Sequence, residues 1–349
     1  MTLARNNKQA VFRCDSNASE GFGHTSRCIS LARSLASEHG FEIVFLGDFG
    51  KFAESILRSH SFEIVRCIED QPSANTLLSS TYPDALLIID HYGVTAQFVD
   101  TMASAKRNPV YFVDEDLIDY TNKALALISI RLTGQEMQLE RFSVPLFSGA
   151  DFLVVNPEFR ELRLVNCTTP VRHPVQAITI FLSGTKGQLH HERQIICSLD
   201  RVAPQANLTL ITNQPQAHQS FTRQQVDSSL RTVAPTPHMA RYLDQTDLLI
   251  CGGGLLKYEA AYSAIPSAIC SLVALQHKDT QEFCARGLAW DLGQAYSDSY
   301  ETTLEARLEK VINDHQLRQH MRNCSQSIFR DDSTNHLASE LVALKASQD

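Results

Sequence analysis

Short apolar runs alternate with longer amphipathic ones along nearly all of this 349-residue chain. That rhythm is the pattern of parallel strands separated by crossover helices. In the first half it predicts strands at 11–14, 42–46, 63–67, 85–89 and 110–113, with helices over 24–39, 51–59, 74–80 and 96–105. The blocks Leu86-Leu87-Ile88-Ile89 and Leu248-Leu249-Ile250 are continuous rather than alternating, as expected of strands whose sheet is covered on both faces. Between 157 and 174 the rhythm breaks. Asn156-Pro157-Glu158-Phe159-Arg160 and Asn166-Cys167-Thr168-Thr169-Pro170 are rich in turn formers and read as a linker. Strands follow at 177–182, 207–211, 248–250 and 267–270, with helices over 190–202, 239–244, 255–263 and 280–286; the chain beyond about 300 reads as helix.

The predicted fold class is therefore α/β, with two Rossmann-like domains facing a central cleft. The first covers 1–160 and the second 175–330, with a C-terminal helix over 331–349. A single hydrophobic core rarely extends over so long a chain, which favours the same division. In such folds ligands bind outside the carboxyl ends of the strands.

Composition narrows the function. The net charge of −8 and pI near 5.9, without a basic run, exclude a general nucleic-acid binder. No apolar stretch reaches the roughly 18–20 residues of a membrane span. The polar start Met1-Thr2-Leu3-Ala4-Arg5 lacks the apolar core of a signal peptide, so a cytoplasmic address is expected. The nine cysteines are scattered without a Cys-x-x-Cys pair, and the thirteen histidines show no His-Glu-x-x-His spacing. They read as reduced thiols and ordinary histidines, with no metal site. Nothing in the sequence speaks to oligomeric state.

The candidate chemistry lies at the predicted strand ends. Gly21-Phe22-Gly23-His24-Thr25-Ser26-Arg27-Cys28 follows the first strand and opens a helix. Glycines there allow close approach of a ligand, and a helix start offers N–H groups to an anion with His24 beside them. It is not the dinucleotide fingerprint, because Ser26 stands where the third glycine belongs, and the acidic residue expected after the second strand is missing. Asp15, Asp90-His91-Tyr92-Gly93 and Asp114-Glu115-Asp116 occupy further strand ends, where Asp90 and Asp114 have helix capping as a competing role. In the second half, Ser183-Gly184-Thr185-Lys186-Gly187 and Cys251-Gly252-Gly253-Gly254 do the same. Gly253, Gly254 and Leu255 begin a helix whose N–H groups suit a diphosphate. Glu259, one turn on, suits the vicinal hydroxyls of a ribose, and Gln276-His277 follows the next strand.

Assembled, these segments resemble the UDP-sugar hydrolases of the pseudaminic acid pathway and the related spore-coat polysaccharide proteins, which look like MurG-type glycosyltransferases of the GT-B fold. The resemblance runs from about Phe12 to Gly293. It is carried by Arg13-Cys14-Asp15 with the octet at 21–28, by Asp90-His91-Tyr92, by Phe147-Ser148-Gly149-Ala150-Asp151-Phe152 leading into Asn156-Pro157-Glu158-Phe159, and by the stretch from Asp247 through Glu259 to Pro266. It implies release of UDP from a UDP-linked 2,4-diacetamido-2,4,6-trideoxy sugar, with no metal or other cofactor. His24 would activate a water against the anomeric carbon, with Asp15 and Tyr92 lining the sugar pocket. Gly21, Gly23, Arg27 and Asp90 would be further substrate contacts. Gly253, Gly254, Leu255 and Glu259 would hold the diphosphate and ribose, and Gln276 the sugar or phosphate.

The chain departs from the family pattern at Lys186, where an aspartate is usual, at Glu115 in place of aspartate, and at Leu275 in place of asparagine. The family's arginine near Asn156 is missing. These changes leave room for a different sugar or nucleotide. Two alternatives accompany the hydrolase reading: a glycosyltransferase using the same nucleotide-sugar cleft, and a non-catalytic nucleotide-sugar binder. Helices 51–59 and 74–80 carry little of the apolar, basic patch expected of a transferase acting on lipid carriers.

Overall fold

The computed structural model describes residues 8–17, 22–67, 78, 80–91, 93–113, 118–132, 140–184, 187–218 and 229–347. Gly21, Tyr92, the Asp114-Glu115-Asp116 segment, Lys186 and most of the helix expected over 74–80 lie outside them. The chain divides into two units: Met1–Asn156 with Asp332–Asp349, and Pro157–Asp331.

The first unit is a seven-stranded sheet built from β1 (Gln9–Arg13), β2 (Glu42–Gly47), β3 (Glu63–Arg66), β4 (Leu86–Ile89), β5 (Val110–Phe112), β6 (Ala126–Ile128) and β7 (Leu146–Phe147). The spatial order is β3-β2-β1-β4-β5-β6-β7, and all pairs are parallel. Ala10 and Phe12 on β1 join the core on one face, while Val11 joins the core on the other. That two-sided burial is why these strands read as continuous apolar blocks. Helix α1 (Gly23–His39) packs on the first of these cores and ends at Gly40, whose φ of 70° lets its N–H cap the carbonyl of Ala36. The C-terminal helix Ser333–Ala346 belongs to this unit: Leu337, Ala338 and Leu341 enter the α1 core, and Ser34 on α1 donates to Asn335 at 2.7 Å.

The second unit repeats the plan with β8 (Ala177–Phe181), β9 (Asn207–Ile211), β10 (Leu230–Val233), β11 (Leu248–Gly252), β12 (Ser267–Ser271) and β13 (Trp290–Gln294), ordered β10-β9-β8-β11-β12-β13 and again all parallel. Strand order reverses at the β1/β4 pair in one sheet and at β8/β11 in the other. Ligands of open α/β sheets sit at such switch points.

Four strands escape the sequence pattern. β6 and β7 span only three and two residues. β10 and β13 are edge strands of mixed polarity, and β13 meets β12 through a register shift between Ile269 and Cys270. The expected linker carries the helix Pro157–Asn166, because a proline in the first helical position costs nothing where the N–H has no intrahelical partner. Among the described residues no helix is long and apolar enough to cross a membrane.

Two glycines stand where one strand end passes close to the backbone of its neighbour. A Cβ at Gly47 would lie 1.9 Å from the carbonyl oxygen of Cys14 and 2.7 Å from Asp15 Oδ1. One at Gly252 would lie 2.1 Å from the carbonyl oxygen of Leu182. Backbone cannot yield as a side chain can, so Gly47→Ala is expected to cost about 2 kcal/mol or more, lowering Tm by several degrees in a thermal melt.

Candidate active site

In the first unit the strand ends deliver two carboxylate–histidine pairs. Asp90 follows β4, with its N–H donating to the carbonyl of Arg13 at 2.9 Å and its side chain only 1% exposed. Its carboxylate meets Arg27 twice, from Nε at 2.5 Å and from Nη2 at 2.6 Å, and meets His24 Nδ1 at 2.5 Å. Cys28 Sγ donates from 3.7 Å. Burial by itself pushes the Asp90 carboxyl up, but the charge and hydrogen bonds of Arg27, with the bond from His24, outweigh it and hold the group well below the usual carboxylate range. An ionised carboxylate only accepts, so His24 is assigned Nδ1–H, and Nε2 carries the ring's lone pair. Arg27 Nη2 lies 3.1 Å from the same Nδ1, both groups converging on Asp90 Oδ1.

The second pair joins β1 to β4. Asp15 Oδ2 accepts from His91 Nε2 at 2.6 Å and from Arg13 Nη2 at 3.3 Å; Oδ1 accepts from Arg13 Nη1 and from the N–H of Asp48 at 2.8 Å. Burial raises this carboxyl too, and the bonds from His91 and Arg13 overcome it, so Asp15 also stays ionised far into acid. The N–H of Gly93 donates to His91 Nδ1 at 2.8 Å, which assigns the proton to Nε2. Both ring nitrogens of His91 are therefore committed within the protein.

The structure thus brings together His24, Arg27, Asp90 and Asp15 in one cluster. Asp15, given to the sugar pocket by resemblance, has both oxygens taken by protein donors. Gly23 opens α1, and a Cβ there would meet nothing within 4 Å, so the described residues place no steric demand for glycine at 23. Arg13 and His91 stand in the quoted sequence motifs, but the sequence reading gave them no role. Their signal was Arg13 two residues before Asp15, on one side of an extended segment, and His91 next to Asp90.

The second unit assembles Gly253, Gly254, Leu255, Glu259 and Gln276. Gly253 is pressed against the following helix Ala274–Ala285: a Cβ there would lie 2.9 Å from Gln276 Cβ and 3.1 Å from Thr280 Oγ1. Gln276 and His277 lie inside this helix, which begins six residues before the expected 280. Its polar residues Asp279 and Thr280 are buried, which hides the helical period. Gln276 Oε1 accepts from the N–H of Leu272 at 3.1 Å. Beneath the loop, Lys257 is fully buried, donating to the carbonyl of Gly253 at 3.1 Å and pairing with Asp279, which also accepts from Tyr258 Oη at 2.9 Å. Because the trans peptide sets C=O and N–H on opposite sides, this bond turns the N–H of Gly254 away from Lys257.

Glu259 is 8% exposed and has no side-chain hydrogen bond among the described residues; burial pushes its carboxyl up to about 8. A glutamate whose folded pKa exceeds its ordinary value of 4.5 loses its proton first in the unfolded chain. Stability therefore falls as pH rises from about 4.5 toward 8, by up to about 1.4 kcal/mol per unit. Glu259→Gln is expected to melt like the parent at pH 5 and several degrees higher at pH 8.

The class that these two parallel-sheet α/β units define is the GT-B fold. Solved structures of that fold cover the chain almost end to end. MurG of Acinetobacter baumannii matches with a TM-score of 0.65 over 96% of this chain and 99% of its own, at 14% identity. The Phytolacca americana UGT2, solved with UDP-2fluoro-glucose and pterostilbene, matches with a TM-score of 0.67 over 98% of this chain and 99% of its own, at 14% identity. In sequence, an uncharacterized protein of Methanocaldococcus jannaschii is 20% identical over 285 residues, 77% of this chain and 56% of that protein, so the chain spans little more than half the length of this relative. No family model matches.

Proposed function

We propose that the chain is a nucleotide-sugar hydrolase, releasing UDP from a UDP-linked diacetamido-trideoxy sugar in the supply of nonulosonate-type surface glycans. The observation that carries this reading is the Asp90–His24 pair. A histidine whose Nδ1–H is held by an ionised carboxylate keeps its lone pair on Nε2, the atom that can accept a proton from water. His24 Nε2 takes a proton from water as the water oxygen bonds to the anomeric carbon. The bond from that carbon to the diphosphate oxygen breaks, and UDP leaves with its electron pair. Arg27 and Asp90 orient the base, and Tyr92 is given the sugar.

In the second unit, Gly253, Gly254 and Leu255 would take the diphosphate, and Glu259 the ribose hydroxyls. Glu259 supports this assignment because a buried carboxyl group without a donor, which burial keeps protonated, gains hydrogen-bond partners and is freed to ionise when a ligand brings two O–H groups to it. Gln276, which abuts Gly253, would reach the same ligand through its amide nitrogen.

Phosphorus NMR of the purified protein with a panel of UDP-, GDP- and CMP-linked amino sugars, in the absence of an acceptor, tests the reading. Free UDP appearing from a UDP-linked diacetamido sugar is the expected result. Shifted ligand resonances with no release would replace the hydrolase by the second reading, a glycosyltransferase. That reading is favoured by the GT-B neighbours that transfer sugars, such as the spinosyn forosaminyltransferase SpnP.

A further inference from the structure

We propose that His91 is a positioning residue, acting through Asp15 and Thr25 to keep His24 on Asp90; the inference rests on the reading of His24 as the base. His91 cannot itself serve as a base. Its Nδ1 accepts from the N–H of Gly93 at 2.8 Å, and its Nε2–H is given to Asp15 at 2.6 Å. What it does is fix the tail of β1. The backbone carbonyl of that same Asp15 accepts from Thr25 Oγ1 at 3.1 Å, and Thr25 is fully buried beside His24 in the first turn of α1.

The bonds form a closed ring. Asp90 reaches from β4 to His24 on α1; Thr25 reaches from α1 to Asp15 behind β1; His91 reaches from β4 to Asp15. Asp90 is itself tied to β1 through the carbonyl of Arg13. Successive residues of an extended segment point to opposite sides, so Asp90 and His91 serve the two arms of the ring at once. The start of α1 needs such a tether, because Phe22 at its N-cap position supplies no side-chain bond. With the Nε2–H of His91 removed, a buried carboxylate loses a donor, the β1 tail shifts, and the first turn of α1 shifts with it. His24 then loses the bond that sets its tautomer.

The test uses the ring-nitrogen signals of histidine in the full-length, 15N-labelled protein, together with turnover of the UDP-linked 2,4-diacetamido-2,4,6-trideoxy sugar. In the parent, His24 is expected as the Nδ1–H tautomer and His91 as the Nε2–H tautomer, each assigned by its own variant. His91→Leu should move His24 toward the Nε2–H form and lower kcat roughly 10–100-fold at unchanged KM. His91→Gln, whose amide nitrogen reaches to the position of Nε2, should retain the His24 signal and keep kcat within about threefold of the parent. Thr25→Val cuts the same path at its other end without touching a charge and should reproduce the effect of His91→Leu.

All variants are measured well below their melting transitions. Unchanged His24 signals and unchanged kcat in His91→Leu overturn the proposal, as does failure of His91→Gln to rescue. Full turnover in His24→Ala would instead overturn the base assignment, and the ring-nitrogen signals would still decide whether His91 sets the tautomer of His24.

Discussion

His24→Ala is expected to lower kcat for UDP release by about 10³-fold while leaving UDP affinity within about twofold. Removing a general base costs roughly 10²–10⁴ in rate, and here the imidazole is also the partner that Asp90 would stabilise as it charges. The nucleotide contacts are assigned to the other unit, so the loss should fall on kcat and not on the Kd for UDP. Asp90→Asn should fall between parent and His24→Ala. The amide keeps the shape and can accept from Nδ1–H, but it cannot neutralise an imidazolium, and it leaves the buried Arg27 without its counter-charge. Steady-state turnover beside calorimetric UDP binding separates the two quantities. Turnover of His24→Ala near that of the parent would remove the role given to the histidine.

What could be seen in the sequence followed from burial. β1, β4, β8 and β11 sit at the centres of fully covered sheets, so their apolar runs are unbroken and the segments after them stand out as polar punctuation. His24, Asp15, Asp90 and the glycine run were legible for that reason. The pairings were not. His24 and Asp90 are 66 residues apart, and His91 and Asp15 are 76 apart, so no local pattern joins them; only the order of strands in the sheet does. Arg13 and Arg27 read as ordinary charged residues until the carboxylates are placed against them. Gly47 drew no notice beside the octet, yet its Cα is where β2 passes the tail of β1, whereas Gly23 has open space around it.

Lys257 was legible only as a residue between Gly254 and Glu259. All seven residues of its helix, Leu256–Tyr262, are buried, so the lysine has no solvent face to use and must find a counter-charge inside. Its partner Asp279 comes from the next helix, whose start the pattern misplaced.

That pair carries the other large effect. Asp279→Leu is expected to destabilise the second unit by about 3–5 kcal/mol, the usual cost of leaving one member of a buried ion pair uncompensated. Lys257 would keep the carbonyl of Gly253 and the faces of Tyr258 and Phe283, with its ammonium 4.9 Å and 5.7 Å from the two ring centres, but no anion. The bonds from the Tyr258 hydroxyl to both oxygens of Asp279 would be lost as well. Lys257→Met alone should cost a similar amount, since it strands Asp279 with the Tyr258 hydroxyl. The double variant Lys257→Met with Asp279→Leu should recover most of the loss, because two apolar side chains of matching bulk need no desolvated charge between them. Chemical denaturation of the four proteins closes the cycle. A coupling energy near zero, with each single variant within about 0.5 kcal/mol of the parent, would mean that water reaches the pair and that the glycine loop does not depend on it.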